Sequence, residues 1–490
     1  MRIIKGRTAV SEAAADLLSD ESNVSSSWCE EAAWPESTEE AAGYLGDCSA
    51  RSLGVTVSGG LTGLVAGALP EGGAVMSASS LKSFQNMEDG TLRVGAGVTL
   101  DELREYLDAN LPGRFYPPDP TETTASIGGT VATDASGSDS LLYGSTRRWV
   151  EGLELLLPGD RILRLDRGEY VFSQGMLSHP LLGRVMLPPI LRGLPEKNAA
   201  GYRIEPNMDL VDLLTGSEGT LGAVTSVRIK LARSPEELVD LAVFPEDLDS
   251  FWNLFESLRT CELRVRALEM MDPNSLDLLR SRPPEEVQPP PSRARAALFV
   301  RLESRPGEDL DDVLLGLDEL LRASGVDLDD TWGGFTPEER SRLRDFRHSL
   351  PETVNTILSE TRRTYPSVHK LGSDSAVPPS RLREYYDWIR GLLDEKGLDF
   401  LVFGHSGQGH LHANVLPRND EQLKIGEGAM REIAERAVKM GGTVSAEHGL
   451  GRLKAGYISL MYSEEELRGM RTLRRTFDPD GVLAPAVTWP

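Results

Sequence analysis

The stretch that decides the fold covers residues 117–137 and reads PPDPTETTASIGGTVATDASG. It joins prolines to a Gly-Gly pair and a run of small hydroxylated residues. Glycines let a backbone turn tightly and aim its N–H groups at an anion such as phosphate. Residues 57–63 (VSGGLTG) and 216–222 (GSEGTLG) have the same character.

These glycine-dense stretches point to a ligand only when they are taken together. Residues 57–63 match neither the dinucleotide fingerprint GxGxxG nor the phosphate loop GxxxxGKS/T, and a plain structural turn explains them at least as well. Three such loops in one domain favour a long ligand with a pyrophosphate in its middle. The alternative is a loop-rich fold that binds no ligand.

Composition and charge exclude several classes of protein. A chain of 490 residues predicts two or three domains. The net charge of −24 argues against nonspecific nucleic-acid binding and against docking on an anionic membrane. The sequence has no apolar run near the about 20 residues that span a bilayer, and no signal peptide is evident. The three cysteines form no disulfide framework or iron–sulfur motif, so we expect a cytoplasmic protein.

The chain divides into three predicted regions. Residues 1–34 are predicted as an acidic helical extension. Residues 35–232 carry short β-type runs between Gly, Pro and Ser, which predict a loop-rich α+β domain. Residues 233–490 form a second α+β region, interrupted at 281–293 by a proline-rich loop or hinge.

Hydrophobic periodicity and end signals predict several elements. The predicted helices are 100–110, 309–323, 380–396, 421–440 and 464–477, and the predicted strands include 296–302 and 399–403. Gly441 and Gly442 are a helix-end signal, and the last helix stops before Asp478-Pro479.

Two late motifs carry the densest chemistry, FGHSGQGHLHANV (403–415) and GGTVSAEHGLG (441–451). They contain four of the seven histidines: His405, His410, His412 and His448. One such histidine alone would be assigned to a polar core, but four of them with Glu447 favour function.

The first late motif reads as a strand, a turn and a second strand. Alternate residues of a strand share a face, so His410, His412 and Asn414 are expected to point the same way. A hairpin would also bring His405 beside His412. Two imidazoles and a carboxylate suit zinc or a similar divalent ion, with Glu447 as the third ligand. His448 would then be free to act as a base.

The order of SGGLTGL, residues 117–137, NAAGYRI and GSEGTLGAVT resembles the FAD-binding domain of the vanillyl-alcohol oxidase/p-cresol methylhydroxylase superfamily. The late motifs narrow the resemblance to its FAD-linked 2-hydroxy-acid dehydrogenase branch, which includes D-lactate dehydrogenases and the glycolate oxidase FAD subunit. It covers about residues 35–490. It implies an α+β fold, with a two-subdomain FAD-binding domain (35–232) and a C-terminal α+β cap domain that binds substrate (233–490), whose core we expect to be an antiparallel sheet covered by helices.

The resemblance also implies which residues bind FAD. They are Ser58, Gly59, Gly60, Leu61, Thr62, Gly63, Pro118, Asp119, Thr121, Ile127, Gly128, Gly129, Thr133, Ser136, Gly137, Glu218 and Gly222. No histidine lies in residues 1–178, so a histidyl–flavin bond from this region is impossible and we expect noncovalent FAD.

Further roles follow from the resemblance. Arg347, in RDFRHSLPE, and Lys370, in HKLGSDSAVP, would hold the substrate carboxylate, with Asn414 steadying the substrate. His405, His412 and Glu447 would hold a metal ion, and His448 would be the catalytic base.

The chain departs from the branch pattern GHxGDGNxH at two positions. Gln408 replaces its Asp and His410 replaces its Asn. The role of His410 is left undecided between an additional metal ligand, a residue that supports the ligands, and a residue without a role in the site.

The predicted reaction is oxidation of a small D-2-hydroxy acid, of the D-lactate or glycolate type, to the 2-oxo acid by hydride transfer to flavin N5. Electrons would pass to an iron–sulfur subunit, an electron-transfer flavoprotein, a quinone or oxygen, and homodimerisation stays open. One alternative is an FAD-containing electron-transfer or scaffold subunit without its own substrate. Another is a zinc hydrolase, which leaves the glycine-rich first half unexplained.

Overall fold

The computed structural model describes residues 1–190, 192–284 and 287–489. Its strands are β1 (Arg2–Lys5), β2 (Glu31–Trp34), β3 (Val55–Ser58), β4 (Ala74–Ser77), β5 (Phe84–Asn86), β6 (Leu92–Gly95), β7 (Arg114–Phe115), β8 (Val150–Leu157), β9 (Arg161–Asp166), β10 (Met176–His179), β11 (Gly183–Met186), β12 (Ala223–Ile229), β13 (Ala232–Arg233), β14 (Leu238–Val243), β15 (Val265–Met271), β16 (Ala297–Glu303), β17 (Thr331–Gly334), β18 (Leu371–Gly372), β19 (Ser375–Ala376), β20 (Phe400–Gly404) and β21 (His410–Val415). Its helices are α1 (Arg7–Ala13), α2 (Thr38–Ala50), α3 (Leu100–Asn110), α4 (Ile127–Thr133), α5 (Ser140–Tyr143), α6 (Leu210–Leu214), α7 (Leu248–Thr260), α8 (Pro273–Ser281), α9 (Leu310–Ala323), α10 (Pro337–Arg362), α11 (Leu382–Glu395), α12 (Asp420–Lys439), α13 (Ile458–Met461) and α14 (Glu464–Phe477).

Two sheets organise the first half of the chain. The first is four-stranded, in the order β1-β2-β4-β3, and β4 runs parallel to both β2 and β3. The second is five-stranded and antiparallel, in the order β5-β6-β12-β8-β9. The predicted α+β architecture with two subdomains in its first half is confirmed.

The N-terminal region differs from the predicted helical extension. Residues 2–5 form β1, which pairs antiparallel with β2 and belongs to the first sheet. Val10 of α1 and Leu17 pack with Val75 of β4 in one buried cluster. Helical residues in this segment are confined to α1 and a short turn at Ala15–Leu18, and its two ends form β1 and β2 because strand pairing decides their conformation.

One antiparallel sheet forms the core of the second half, as predicted. Its order is β17-β14-β16-β15-β20-β21-β18, with β19 also paired to β21, and we call it the cap sheet. Strand residues alternate between its two faces. Val402 of β20 packs on the face covered by α7, α9, α11 and α12, whereas Leu401 packs on the face covered by α8 and α10.

Local end signals account for the helices whose bounds the sequence predicted well. Helix α3 has the predicted bounds, and Thr99 and Glu102 form a capping box at its start. Helix α14 also has the predicted bounds and begins with a capping box at Ser463. The proline-rich stretch 281–293 lies outside strands and helices after Ser281, although residues 285–286 fall outside the described part of the chain.

The C-terminal segment returns to the first half of the molecule. The Val55 N–H donates to Val482 O at 2.7 Å, and Trp489 packs on Tyr202 with ring centroids 5.2 Å apart. The predicted domain boundary between residues 232 and 233 assigned this C-terminal segment to the second region and did not predict its packing on the first. As a result, residues 441–451 lie between the glycine-rich loops and the cap sheet. Within the described residues, no helix combines the length and apolarity that crossing a membrane requires.

Candidate active site

A cavity of about 1150 Å³, here called the main cavity, lies between the glycine-rich loops and the cap sheet. Most of the predicted cofactor residues line it: Ser58, Gly59, Gly60, Leu61, Thr62, Gly63, Thr121, Gly128, Gly129, Thr133, Ser136, Glu218 and Gly222. Four do not. Pro118 and Asp119 line a neighbouring cavity of about 650 Å³, Ile127 is fully buried in the core, and Gly137 packs against the Asp119 backbone.

Ser126 ties two of the glycine-rich loops together. Its Oγ accepts hydrogen bonds from Gly60 N and Gly129 N, both at 3.2 Å. A Cβ atom on Gly60 would lie 2.5 Å from Thr124 O, so only glycine allows this approach. The next residue, Leu61, has a φ of 57°, which bends the loop around the edge of the main cavity.

Glu218 fastens the third glycine-rich loop to the second late motif. Its carboxylate oxygens accept from Leu450 N at 3.0 Å and from Gly451 N at 2.7 Å. Gly449 has a φ of 76°, and a Cβ there would lie 3.0 Å from the Glu218 carboxyl carbon. Burial raises the pKa of Glu218 to about 7.

The histidine cluster consists of His405, His410, His412 and Glu447. The predicted hairpin of β20 and β21 places Phe403 opposite His412 and returns the chain beside His405. The nearest nitrogens of His405, His410 and His412 lie 3.5, 3.7 and 3.4 Å from Glu447 oxygens. Ligand atoms of all four residues lie within 4.8 Å of one another.

A second set of polar groups lies behind these imidazoles and hydrogen-bonds two of them, His405 and His412. His405 Nδ1 contacts Glu269 Oε1 at 2.8 Å, and His412 Nδ1 contacts the Ser373 carbonyl oxygen at 3.1 Å. His410 Nε2 lies 3.1 Å from Asp374 Oδ1, close but not aligned as a hydrogen bond. Such partners of the far nitrogen characterise histidines that bind metal ions.

Burial and neighbouring charges favour the protonation states in which His405, His410 and Glu447 can bind a metal ion. Burial lowers the pKa of His405, and it holds the pKa of His410 well below the usual range. Burial acts to raise the pKa of Glu447, but the charge of Lys197 at 2.9 Å and the interactions with the three histidines of the cluster outweigh it, so the pKa lies well below its usual range. Neutral imidazoles and an ionised carboxylate are the states that bind a divalent ion.

His448 follows Glu447 and faces the main cavity. Its Nε2 lies 3.5 Å from Glu447 Oε1, and its Nδ1 lies 3.5 Å from Asp374 Oδ2. Burial lowers the pKa of His448 to about 4, so the imidazole is uncharged at neutral pH. Asp374 also accepts from Ser445 Oγ at 2.6 Å and is therefore held in place.

The predicted substrate residues all line the main cavity. Arg347 is ion-paired with the buried Glu269, and its Nη1 contacts His348 at 3.0 Å. Lys370 lines the cavity with a solvent-exposed side chain that has no salt-bridge partner among the described residues, and desolvation lowers its pKa. Asn414 Oδ1 is buried with no hydrogen-bond partner in the described part of the chain. Arg347 is thus largely neutralised, whereas Lys370 and Asn414 are available.

Sequence reasoning missed three residues of the site. Asp374 lies four positions after Lys370, and an acid beside a predicted substrate lysine was an available signal. Glu269 is the single charged residue of the run ALEMM (267–271), and a charge inside an apolar strand was another signal. Lys197 directly precedes NAAGYRI, and no sequence pattern connected it to Glu447.

Comparison with known proteins assigns the family. A model of the C-terminal domain of FAD-linked oxidases matches residues 234–487, and a model of an FAD-binding domain matches residues 30–166. The chain belongs to the FAD-linked oxidases. It is therefore an FAD-linked oxidoreductase, and the resemblance seen in its sequence is confirmed.

Several known proteins are similar to this chain over most of their length. A glycolate oxidase subunit of Bacillus subtilis is 29% identical, over 92% of this chain and 87% of its own. A D-lactate dehydrogenase of Archaeoglobus fulgidus is 29% identical, over 92% and 89%. A mitochondrial D-2-hydroxyglutarate dehydrogenase of Bos taurus is 30% identical, over 92% and 75%. A solved structure of an alkyldihydroxyacetonephosphate synthase has a TM-score of 0.64 at 16% identity, over 94% and 76%, and shares the fold.

The residues of this FAD-linked oxidase fit the cofactor. The glycine-rich loops line one wall of the main cavity, where side chains on Gly59 or Gly60 would collide with protein atoms within 2.5 Å. The cavity is large enough for a dinucleotide and a small substrate. The histidine cluster fits a divalent ion, since three imidazoles and a carboxylate converge there and both His410 nitrogens are buried without hydrogen-bond partners among the described residues. Glu447 Oε2 is ion-paired with Lys197 at 2.9 Å.

Proposed function

We propose that this FAD-linked oxidoreductase oxidises a small D-2-hydroxy acid, of the D-lactate or glycolate type, to the 2-oxo acid and passes the electrons to a separate acceptor. The observation that carries the proposal is the position of His448. It stands beside Glu447 and His412 on the wall of the cavity that the glycine-rich loops also line. The printed names of the relatives, a glycolate oxidase subunit and D-lactate and D-2-hydroxyglutarate dehydrogenases, support the substrate class.

Lys370, Arg347 and Asn414 would bind the substrate in the main cavity. Lys370 attracts the carboxylate as an unpaired charge, and Arg347 adds directed N–H donors. Because Glu269 offsets the charge of Arg347, Lys370 supplies the larger part of the net attraction. Asn414 can hold the substrate through its unpartnered amide oxygen.

Proton removal falls to His448. Its uncharged imidazole accepts the proton of the 2-hydroxyl at Nε2, the nitrogen on the side of the histidine cluster. The resulting imidazolium is stabilised through Nδ1 by the Asp374 carboxylate. Burial acts to raise the pKa of Asp374, but its interactions with His448, with the Lys454 ammonium and with His410 outweigh it and hold the pKa well below its usual range.

The bound groups would complete this chemistry. Noncovalent FAD would supply the acceptor of the Cα hydride, and a divalent ion held by His405, His412 and Glu447 would supply a Lewis acid for the hydroxyl. The described cysteines, Cys29, Cys48 and Cys261, are free and not clustered, so electrons would leave through an external iron–sulfur protein, an electron-transfer flavoprotein or a quinone.

Anaerobic mixing with a panel of D-2-hydroxy acids tests the proposal. We expect at least one acid to bleach the flavin absorbance of the wild-type protein. His448→Ala should retain its flavin but lose rapid bleaching, because proton removal is lost. His179→Ala, a buried histidine outside the main cavity, is the control for losing an imidazole.

Two results would contradict the proposal. If the flavin of His448→Ala were bleached at the wild-type rate, His448 would not be the base. Failure of every acid to bleach the wild-type flavin, with reduction only by a partner protein, would favour an electron-transfer or scaffold subunit.

A further inference from the structure

His410 is the residue of the histidine cluster that the proposed mechanism leaves unused. Its side chain is fully buried, and both ring nitrogens lack a hydrogen-bond partner among the described residues. An unpaired polar group in a protein interior is costly, so such groups usually meet a partner or a bound ion. The two carboxylates nearest to it, Asp374 and Glu447, lie on opposite sides of its ring.

The distances around Glu447 fit one ion with four protein ligands. Zinc binds imidazole nitrogen and carboxylate oxygen at about 2.0–2.2 Å, which places the ligand atoms of a tetrahedral site about 3.3–3.6 Å apart. His410 Nδ1 lies 3.7 Å from Glu447 Oε2, and His405 Nε2 lies 3.5 Å from the same oxygen. His410 Nδ1 thus lies just above that range, 0.2 to 0.3 Å farther from Glu447 than the nearest nitrogens of the two histidines that the family resemblance assigns to the metal ion, at 3.5 and 3.4 Å.

The far nitrogen of His410 is placed as a metal-binding histidine requires. Nε2 lies 3.1 Å from the Asp374 carboxylate, an acceptor group that favours the tautomer with the proton on Nε2 and the lone pair on Nδ1. The same arrangement holds for His405, whose Nδ1 faces Glu269.

We propose that His410 is a fourth protein ligand, so that this chain binds its divalent ion through three imidazoles and one carboxylate. The inference rests on the metal site of the proposed function and extends it. A donor set of three imidazole nitrogens and one carboxylate suits zinc, cobalt or iron(II) rather than magnesium or calcium.

With His410 bound, a substrate hydroxyl would be a fifth ligand, and zinc sites can expand to five-coordination. His405, His412 and Glu447 line the main cavity, whereas His410 does not. It reaches the cluster from the buried side, so a hydroxyl arriving from the cavity does not compete with it. We therefore expect the ion to be retained more firmly than by two imidazoles and a carboxylate.

Metal binding of the flavin-loaded protein tests this inference without reference to activity. X-ray absorption of the zinc-loaded wild-type protein should count three imidazoles at the metal, and that of His410→Asn should count two. Competition with a chromophoric chelator should show zinc binding at least about tenfold weaker in His410→Asn. His179→Asn, which removes a buried histidine elsewhere, should leave both measurements unchanged.

The outcomes separate this inference from the proposed function. Three results would contradict the assignment of His410 as the fourth ligand. They are two imidazoles at the metal in the wild-type protein, no zinc binding at all, or equal zinc affinity in His410→Asn and the wild type. Hydroxy-acid oxidation can stand in each of those cases. Three imidazoles in a protein whose flavin no hydroxy acid reduces would uphold the fourth ligand and contradict the proposed reaction. Because the wild-type imidazole count needs no variant, poor folding of His410→Asn does not remove the test.

Discussion

The Glu269 carboxylate accepts a hydrogen bond from His405 Nδ1 at 2.8 Å and joins the cap sheet to the histidine cluster. Glu269 lies on β15, and His405 follows β20, the neighbouring strand. Burial acts to raise the pKa of Glu269, but the charge of Arg347 and the contact with His405 hold it below its usual range. One ionised carboxylate therefore serves both the predicted metal site and the predicted substrate arginine.

Replacing Glu269 should weaken metal binding. Glu269→Gln keeps the shape of the side chain but removes the charge that fixes the tautomer of His405. Loss of such an outer partner typically lowers metal affinity about 10- to 100-fold, which chelator competition can measure. Ser138→Ala is the matched control, because Ser138 donates to Glu269 at 2.5 Å but leaves its charge in place. Equal effects of the two variants would contradict this role.

Removing the charge of Lys370 should weaken substrate binding and spare the flavin. Lys370→Met keeps an unbranched side chain of similar length but loses the unpaired cation of the main cavity. A hydrogen bond to a charged group contributes about 1.5–3 kcal/mol, so the acid concentration for half-maximal flavin reduction should rise about 10- to 100-fold. Lys439→Met, on the exposed end of α12, is the control. An unchanged half-maximal concentration in Lys370→Met would assign the carboxylate to Arg347 alone.

The sequence predicted the elements whose ends are set locally. Helix α3 was predicted with its observed bounds because Thr99 and Glu102, three positions apart, start it. The hairpin that brings His405 to His412 was predicted because alternation and a turn lie within one short motif. Strand β1 was missed because its conformation depends on pairing with β2, more than twenty residues away.

The same distinction applies to the site. The pattern of the late motifs predicted that His405, His412, Glu447 and His448 come together, and the structure places them in one cluster. The role of His410 stayed open because Asp374, which lies 3.1 Å from its Nε2, belongs to a separate segment and shares no motif with it. The pairing of Arg347 with Glu269 joins a helix to a strand across the fold, and no local pattern records such a contact.

A methyl group on Gly60 should destabilise the protein, whereas one on Gly63 should not. The Cβ of Gly60→Ala would lie 2.5 Å from Thr124 O and 3.1 Å from Ser126 N, both backbone atoms that cannot move away cheaply. Gly63 has no atom within 4 Å of the equivalent position and is the matched control in the same loop. Overpacking of this kind typically costs about 1–3 kcal/mol. A thermal unfolding midpoint that falls for Gly60→Ala and not for Gly63→Ala would confirm the prediction. Equal midpoints would show that the loop accommodates a Cβ atom at Gly60.

Glu218 should make the protein less stable as pH rises from about 4.5 to about 7. Burial raises the pKa of Glu218 from 4.5 to about 7, so the folded protein binds a proton in this range that the unfolded chain has released. Stability falls with pH wherever the folded state binds more protons, and a separation of this size corresponds to about 3 kcal/mol. Below pH 4.5 and above pH 7 this contribution is constant. Glu218→Gln cannot titrate and loses one acceptor for Leu450 N or Gly451 N, so it should be less stable at every pH but lack this slope. Thermal midpoints of both proteins between pH 4 and pH 8 measure the difference, and parallel profiles would show that Glu218 keeps an ordinary pKa.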